Sequence, residues 1–130
     1  MEKIERSGRY KGFSWVVLAA SAWRCGYVKI PKGHKYYEAT VGGDYDSIPV
    51  NCHGGLTFAG GLKTVGKSGA WIGFDCIHLG DAYDPKLAEE NNVGHIYTGL
   101  LDGVVRDADY VENECKNIID QLVARSNLKK

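Results

Sequence analysis

From Phe13 to Ala20 the chain runs without a charge (FSWVVLAA), and from Arg24 to Ile30 (RCGYVKI) it is again rich in β-branched and aromatic residues. Two such runs around a short polar break predict neighbouring strands. Pro31-Lys32-Gly33 ends the second, because proline has no amide proton for the ladder and glycine admits unusual dihedrals. His34 to Ser47, with Gly42-Gly43-Asp44 inside it, is expected to be an exposed loop. Ile48 to Cys52 and Leu56 to Ala59 read as short strands flanking His53-Gly54-Gly55, a tight junction whose backbone calls for glycine. Ala70 to Ile77 (AWIGFDCI) reads as another strand, and Gly73 within it marks a bulge or a close backbone approach.

The period then changes. Asp84-Pro85 is a helix start, an N-cap followed by proline at the first helical position. That helix runs from Pro85 to about Asn92 and stops before Gly94. A longer one spans Asp107 to about Arg125, where Val111, Cys115, Ile118, Ile119 and Leu122 form one apolar stripe at helical spacing. The opposite face carries Glu112, Asn113, Lys116, Asn117 and Asp120. The pattern predicts an α+β fold in one domain, 1–130. An antiparallel sheet over about residues 13–77 fills the N-terminal two-thirds, and two C-terminal α-helices follow.

Composition narrows the function classes. Sixteen basic residues balance sixteen acidic ones among 130, so the chain lacks the basic excess of a general nucleic-acid binder. The ten-residue run from Phe13 to Ala22 is too short to span a bilayer, which needs about 20 residues. Its Ala20-Ser21-Ala22 end imitates a signal cleavage site, but Glu2 and Glu5 precede it. Cys25, Cys52, Cys76 and Cys115 contain no CxxC pair and read as reduced thiols of a cytoplasmic protein. Seventeen glycines are about twice the usual share of roughly 7%, and all lie between Gly8 and Gly103.

Four constellations carry candidate chemistry. Gly61-Leu62-Lys63-Thr64-Val65-Gly66-Lys67-Ser68 fits the phosphate-loop pattern, yet that chemistry needs a helix after the loop. Here Gly69-Ala70 leads into a strand, so a flexible hairpin loop is expected instead. His53, Asp75, Cys76, His78 and Asp81 have the side chains of a metal or acid–base site. Strand alternation, however, sends Asp75 and Ile77 to one face and Cys76 and His78 to the other. A site then requires the strand to end near Cys76, and hydrogen-bonding roles are preferred. The large aromatics, among them Trp15, Trp23, Trp71, Phe58 and Phe74, are core residues or stacking walls. Arg106, just before the helix at Asp107, either grips phosphate beside the helix amides or pairs with Asp107 or Asp109.

Four segments resemble a known family: GYVKIPKGHKYY (26–37), YDSIPVNCHGGLTF (45–58), WIGFDCIHLGD (71–81) and VRDADYVENECKNIIDQL (105–122). Together they look like the first-described Thoeris anti-defence sponge family of phages and prophages, over roughly residues 24–123. The resemblance implies a protein that sequesters cyclic ADP-ribose isomers, such as glycocyclic ADP-ribose, without cleaving them. It also implies separate sites for cyclic di- or trinucleotides in some members, and a homohexamer with pockets between protomers. On that basis Arg106, Phe74, Asn91 and Asn92 are expected ligand contacts. Arg24 with Gly33 and His34 would serve the cyclic oligonucleotides, and His53-Gly54-Gly55 falls in a ligand-binding segment. No cofactor, metal, nucleic-acid polymer or membrane partner is expected. The alternatives are a small metal-dependent hydrolase using His53, Asp75, His78 and Asp81, and a non-catalytic oligomeric interaction protein.

Overall fold

The computed structural model describes residues 2–78, 80–93 and 103–128, with side chains through 125. Five strands form one antiparallel sheet: β1 (Lys3–Tyr10), β2 (Phe13–Ala19), β3 (Arg24–Ile30), β4 (Phe58–Leu62) and β5 (Lys67–Asp75), in the order β1-β2-β3-β5-β4. A parallel pair, β6 (Asp81–Ala82) and β7 (Val104–Val105), stands apart from it. Three described helices complete the fold: α1 (Tyr37–Val41), α2 (Pro85–Glu90) and α3 (Ala108–Leu128). The α+β class and the sheet-then-helix order are as the sequence predicts.

The sheet is covered on both faces. Val17, Val28, Ile72 and Phe74 turn toward α3, whose stripe Val111, Cys115, Ile118, Ile119 and Leu122 is wholly buried. At about 1.5–3 kcal/mol for each large aliphatic side chain, this stripe is the main attachment of helix to sheet. Val16, Leu18, Tyr27 and Trp71 form a second cluster on the other face, with Leu62. That double burial explains why β2 reads as a continuous apolar run rather than an alternating one.

Two glycines let β3 and β5 approach closely. Gly26 faces Phe74 across the ladder, and Tyr27 faces Gly73. A Cβ on Gly26 would lie 2.6 Å from the Phe74 ring, and one on Gly73 would lie 2.3 Å from the Tyr27 ring. The expected close approach at Gly73 is therefore an aromatic ring laid over a glycine on the neighbouring strand.

Three expectations are corrected. β1 was not foreseen, because Lys3, Glu5, Arg6 and Arg9 make it read as a charged tail; such charge is usual on an edge strand, where it discourages further pairing. The expected exposed loop at His34–Ser47 instead contains α1 and a 3-10 turn, Tyr45–Ser47. Thr40 is buried there with its hydroxyl bonded to the Tyr36 carbonyl. Ile48 to Cys52 is not a strand. Ile48 and Val50 do enter the core, but the backbone is tied to α3 side chains. Gln121 accepts from the Asn51 amide, while Gln121 and Asn117 donate to its carbonyl. Arg125 donates to the Pro49 carbonyl.

The helix starts are as expected. Asp84 caps α2 by accepting from the Lys86 amide at 2.9 Å, with Pro85 at the first position. Asp107 caps α3 by accepting from the Tyr110 amide at 2.9 Å. α2 ends at Glu90, two residues short of the expected Asn92, and Gly94 lies outside the described residues. All four cysteines are free thiols. Among the described residues no helix is long and apolar enough to cross a membrane.

Candidate functional site

The site forms where β5 ends. The strand stops at Asp75, so the alternation that would have separated Asp75 from His78 no longer applies. Beyond it the Asp81 amide donates to the His78 carbonyl at 2.9 Å. Pairing of β6 with β7 sets Asp81 opposite Val104 and brings Arg106 alongside.

Asp81 is fully buried and saturated. His53 Nε2 lies 2.9 Å from both carboxylate oxygens, Arg106 Nε donates at 2.8 Å, and the His78 amide donates at 2.9 Å. Burial alone would push this carboxyl up, but the bonds from His53, Arg106 and the His78 amide together hold it below its ordinary value. The other ring nitrogen of His53, Nδ1, meets the Tyr110 hydroxyl at 2.8 Å. In the neutral ring these partners place the proton on Nε2, and Nδ1 accepts from the phenol. Burial raises the Tyr110 phenol, which stays protonated at neutral pH. The Arg106 guanidinium carbon sits 4.9 Å from the centre of the Tyr110 ring, a cation–π contact.

A second histidine–carboxylate pair lies beside the first. His78 Nε2 is 2.9 Å from Asp75 Oδ1, without hydrogen-bond alignment, and the two imidazole rings are 6.0 Å apart. Gly54 makes room for it. At φ +69 a side chain is strained, and a Cβ would lie 2.3 Å from the His78 ring. Gly55, at φ +82, completes the turn by donating to the Cys52 carbonyl. The four residues of the hydrolase alternative are thus close together, each histidine facing a carboxylate. No three His, Cys, Asp or Glu side chains among the described residues converge where a metal ion could sit.

The remaining expected contacts are placed elsewhere. Arg106 is paired with Asp81, not with Asp107 or Asp109. Its terminal guanidinium nitrogens have no hydrogen-bond partner among the described residues. Phe74 is 1% exposed, packed between Gly26 and α3, and offers no ring face to a ligand. Arg24 is buried with every nitrogen engaged. Nε and Nη2 hold Glu5 side-on at 2.7 and 3.2 Å, and Nη1 reaches Asp84 at 2.8 Å and the Arg106 carbonyl at 3.2 Å. Gly33 and His34 lie past the other end of β3, on the order of 20 Å away along the strand. There Gly33 turns at φ +89, while His34 accepts from the Tyr36 amide and edges onto Phe13. One chain therefore does not join Arg24 to Gly33-His34. Asn91 is structural, donating to the carbonyls of Ser21 and Leu87, while Asn92 is exposed in a left-handed conformation at φ +62.

The sequence reading missed Tyr110. The signal was present, since Tyr110 follows Arg106 by four residues and so lies on the same side of the helix start. The thiols are inert. Burial pushes Cys25 and Cys52 up to about 12 and raises Cys76 and Cys115 as well, so none is a thiolate at neutral pH. No protein-family model, curated protein or solved structure matches the chain.

Proposed function

We propose that this protein binds and sequesters a cyclic ADP-ribose isomer, such as glycocyclic ADP-ribose, without cleaving it, and so silences an anti-phage signal in the cytoplasm of a bacterial host. The observation that carries the reading is the half-committed state of Arg106. Asp81 fixes its Nε and Tyr110 backs its face, while its outer nitrogens have no hydrogen-bond partner among the described residues. A guanidinium so oriented is suited to a bidentate grip on pyrophosphate.

The surrounding chemistry favours holding over turnover. Both His53 nitrogens are engaged and the thiols are protonated, so no side chain described here is set up as an activated nucleophile. Tight capture needs pre-organised contacts and slow release. The pocket in this reading lies between copies in a hexamer, and exposed Asn92 would reach the base or ribose. Arg24 is left out, because its donors are spent within the fold.

The test is capture and release. Mixed with glycocyclic ADP-ribose, the protein should deplete free ligand from an ultrafiltrate, and heating should return it intact. Arg106→Ala should weaken capture about 30-fold or more. Recovery of an opened or hydrolysed product overturns the reading in favour of a hydrolase built on His53, Asp75, His78 and Asp81. Absence of capture from a well-folded oligomer favours an interaction protein.

A further inference from the structure

On the sheet face that carries Val16 and Trp71, turned away from α3, lies a cleft of about 400 Å³. Three cations line it, Arg9, Lys29 and Lys67, together with the hydroxyls of Ser14 and Ser68, and no carboxylate does. None of the three has a carboxylate partner among the described residues. Arg6, Lys11, Arg24, Arg106 and Lys116 are paired, and several cations elsewhere on the surface are not; what sets Arg9, Lys29 and Lys67 apart is that they share one cleft.

Arg9 and the stem of Lys29 are held in place, and the strand start that carries Lys67 is fixed through its backbone. Arg9 faces Ser14 across the β1–β2 ladder and donates to its hydroxyl at 3.1 Å and to the Gly12 carbonyl at 2.8 Å. Lys29 faces Trp71 across β3–β5, and its stem fills the space over Gly69, where a Cβ would lie 2.4 Å from Lys29 Cε. The Trp71 indole donates to the Ser68 carbonyl at 2.9 Å and pins the start of β5, which carries Lys67. Arg9 and Lys29 belong to strands two positions apart, a separation on the order of 10 Å. Like charges gathered across a sheet repel. Three without a counter-charge, in a chain of zero net charge, leave a local positive potential that an anion would neutralise.

We propose that this cleft is a second ligand site, which takes the phosphate or pyrophosphate group of a small molecule of nucleotide size. Its volume falls within the range of about 300–1,000 Å³ typical of small-molecule pockets. Gly66, Lys67 and Ser68 belong to the segment that imitates a phosphate loop, but the resemblance is not the reason. Lys67 opens a strand, and Gly66 at φ +75 closes a 3-10 turn, so no helix amides face the cleft. Side-chain cations supply the attraction instead. The site shares no residue with the Arg106 site, and balanced net charge favours a small ligand over a polymer.

Calorimetric titration of pyrophosphate into the full chain tests this. Binding is expected in the unsubstituted protein. Lys67→Gln and Lys29→Met, which keeps the stem over Gly69, should each weaken it about ten-fold. The titrations are repeated in an Arg106→Ala background, which removes the anion grip of the other site; there the binding that Lys29 and Lys67 support should persist while capture of glycocyclic ADP-ribose is weakened. Thermal melts by circular dichroism establish that each variant is folded. The proposal is overturned if pyrophosphate does not bind to the Arg106→Ala protein, or if Lys29→Met and Lys67→Gln combined leave that binding undiminished. Tighter binding of a single-stranded oligonucleotide through the same lysines would equally overturn it, since that is the behaviour of a polymer groove.

Discussion

Arg24 and Arg106 are neighbours, since an Arg24 nitrogen donates to the Arg106 carbonyl, yet they are built inside out with respect to each other. Around Arg24 the cation is interior, its side chain 8% exposed, and its acids Glu5 and Asp84 lie nearer solvent at 28% and 14%. Around Arg106 the acid is interior, with Asp81 at 0% and the arginine side chain at 23%. The first arrangement uses the arginine to tie β1, β3 and the start of α2 together. The second uses the aspartate to aim an arginine outward. Residue type alone does not separate an arginine spent within the fold from one turned outward; the position of its counter-charge does.

Substitutions that break this contrast should rank by how much buried charge they strand. Arg24→Met leaves two carboxylates facing each other without a cation and should cost about 3–5 kcal/mol of stability, read as a lower urea midpoint at unchanged slope. Asp81→Ala strands the His53 N–H and a buried amide but lets Arg106 reach water, so about 2–4 kcal/mol is expected. Arg106→Ala should cost less than either and act mainly on ligand capture; a loss equal to that of Arg24→Met would erase the distinction between the two arginines. Acid sharpens it further. Both Asp81 and Asp84 titrate below their ordinary 3.8 in the folded chain. Their stabilisation is therefore complete above about pH 5 and lost as the pH falls through that ordinary value toward the lowered ones. Asp81→Asn should flatten part of the acid limb of the stability curve. The smallest effect should come from Tyr110→Phe, about 1 kcal/mol, because a single neutral hydrogen bond to His53 is removed.

The elements that were legible in the sequence are those fixed by local pattern. The α3 stripe, the caps at Asp84 and Asp107, and the apolar strands β2, β3 and β5 follow from spacing within a few residues. Ile48 to Cys52 misled because alternation reports burial of Ile48 and Val50, not where the backbone amides go; those bonds run to Gln121, some 70 residues along the chain. The residues of the site, Tyr110 apart, were legible as candidates, but their pairings were not, for the same reason. His53 meets Asp81 and Tyr110 across 28 and 57 residues, and only the fold makes those meetings. Phe74 was misplaced because an aromatic beside glycines suits both a ligand wall and a packed core. The deciding fact, Gly26 opposite it, depends on strand register.

That glycine–aromatic exchange also bears on how the sheet finds its alignment. Shifted by one residue, Phe74 would sit against Cys25 or Tyr27, each with a Cβ where Gly26 has none, and Tyr27 would lose the gap over Gly73. A slip would also turn the apolar set of β5 to the wrong face. Two glycine vacancies, one filled from each side of the sheet, thus work as a key with two notches. β3 and β5 can therefore close fully in one alignment only.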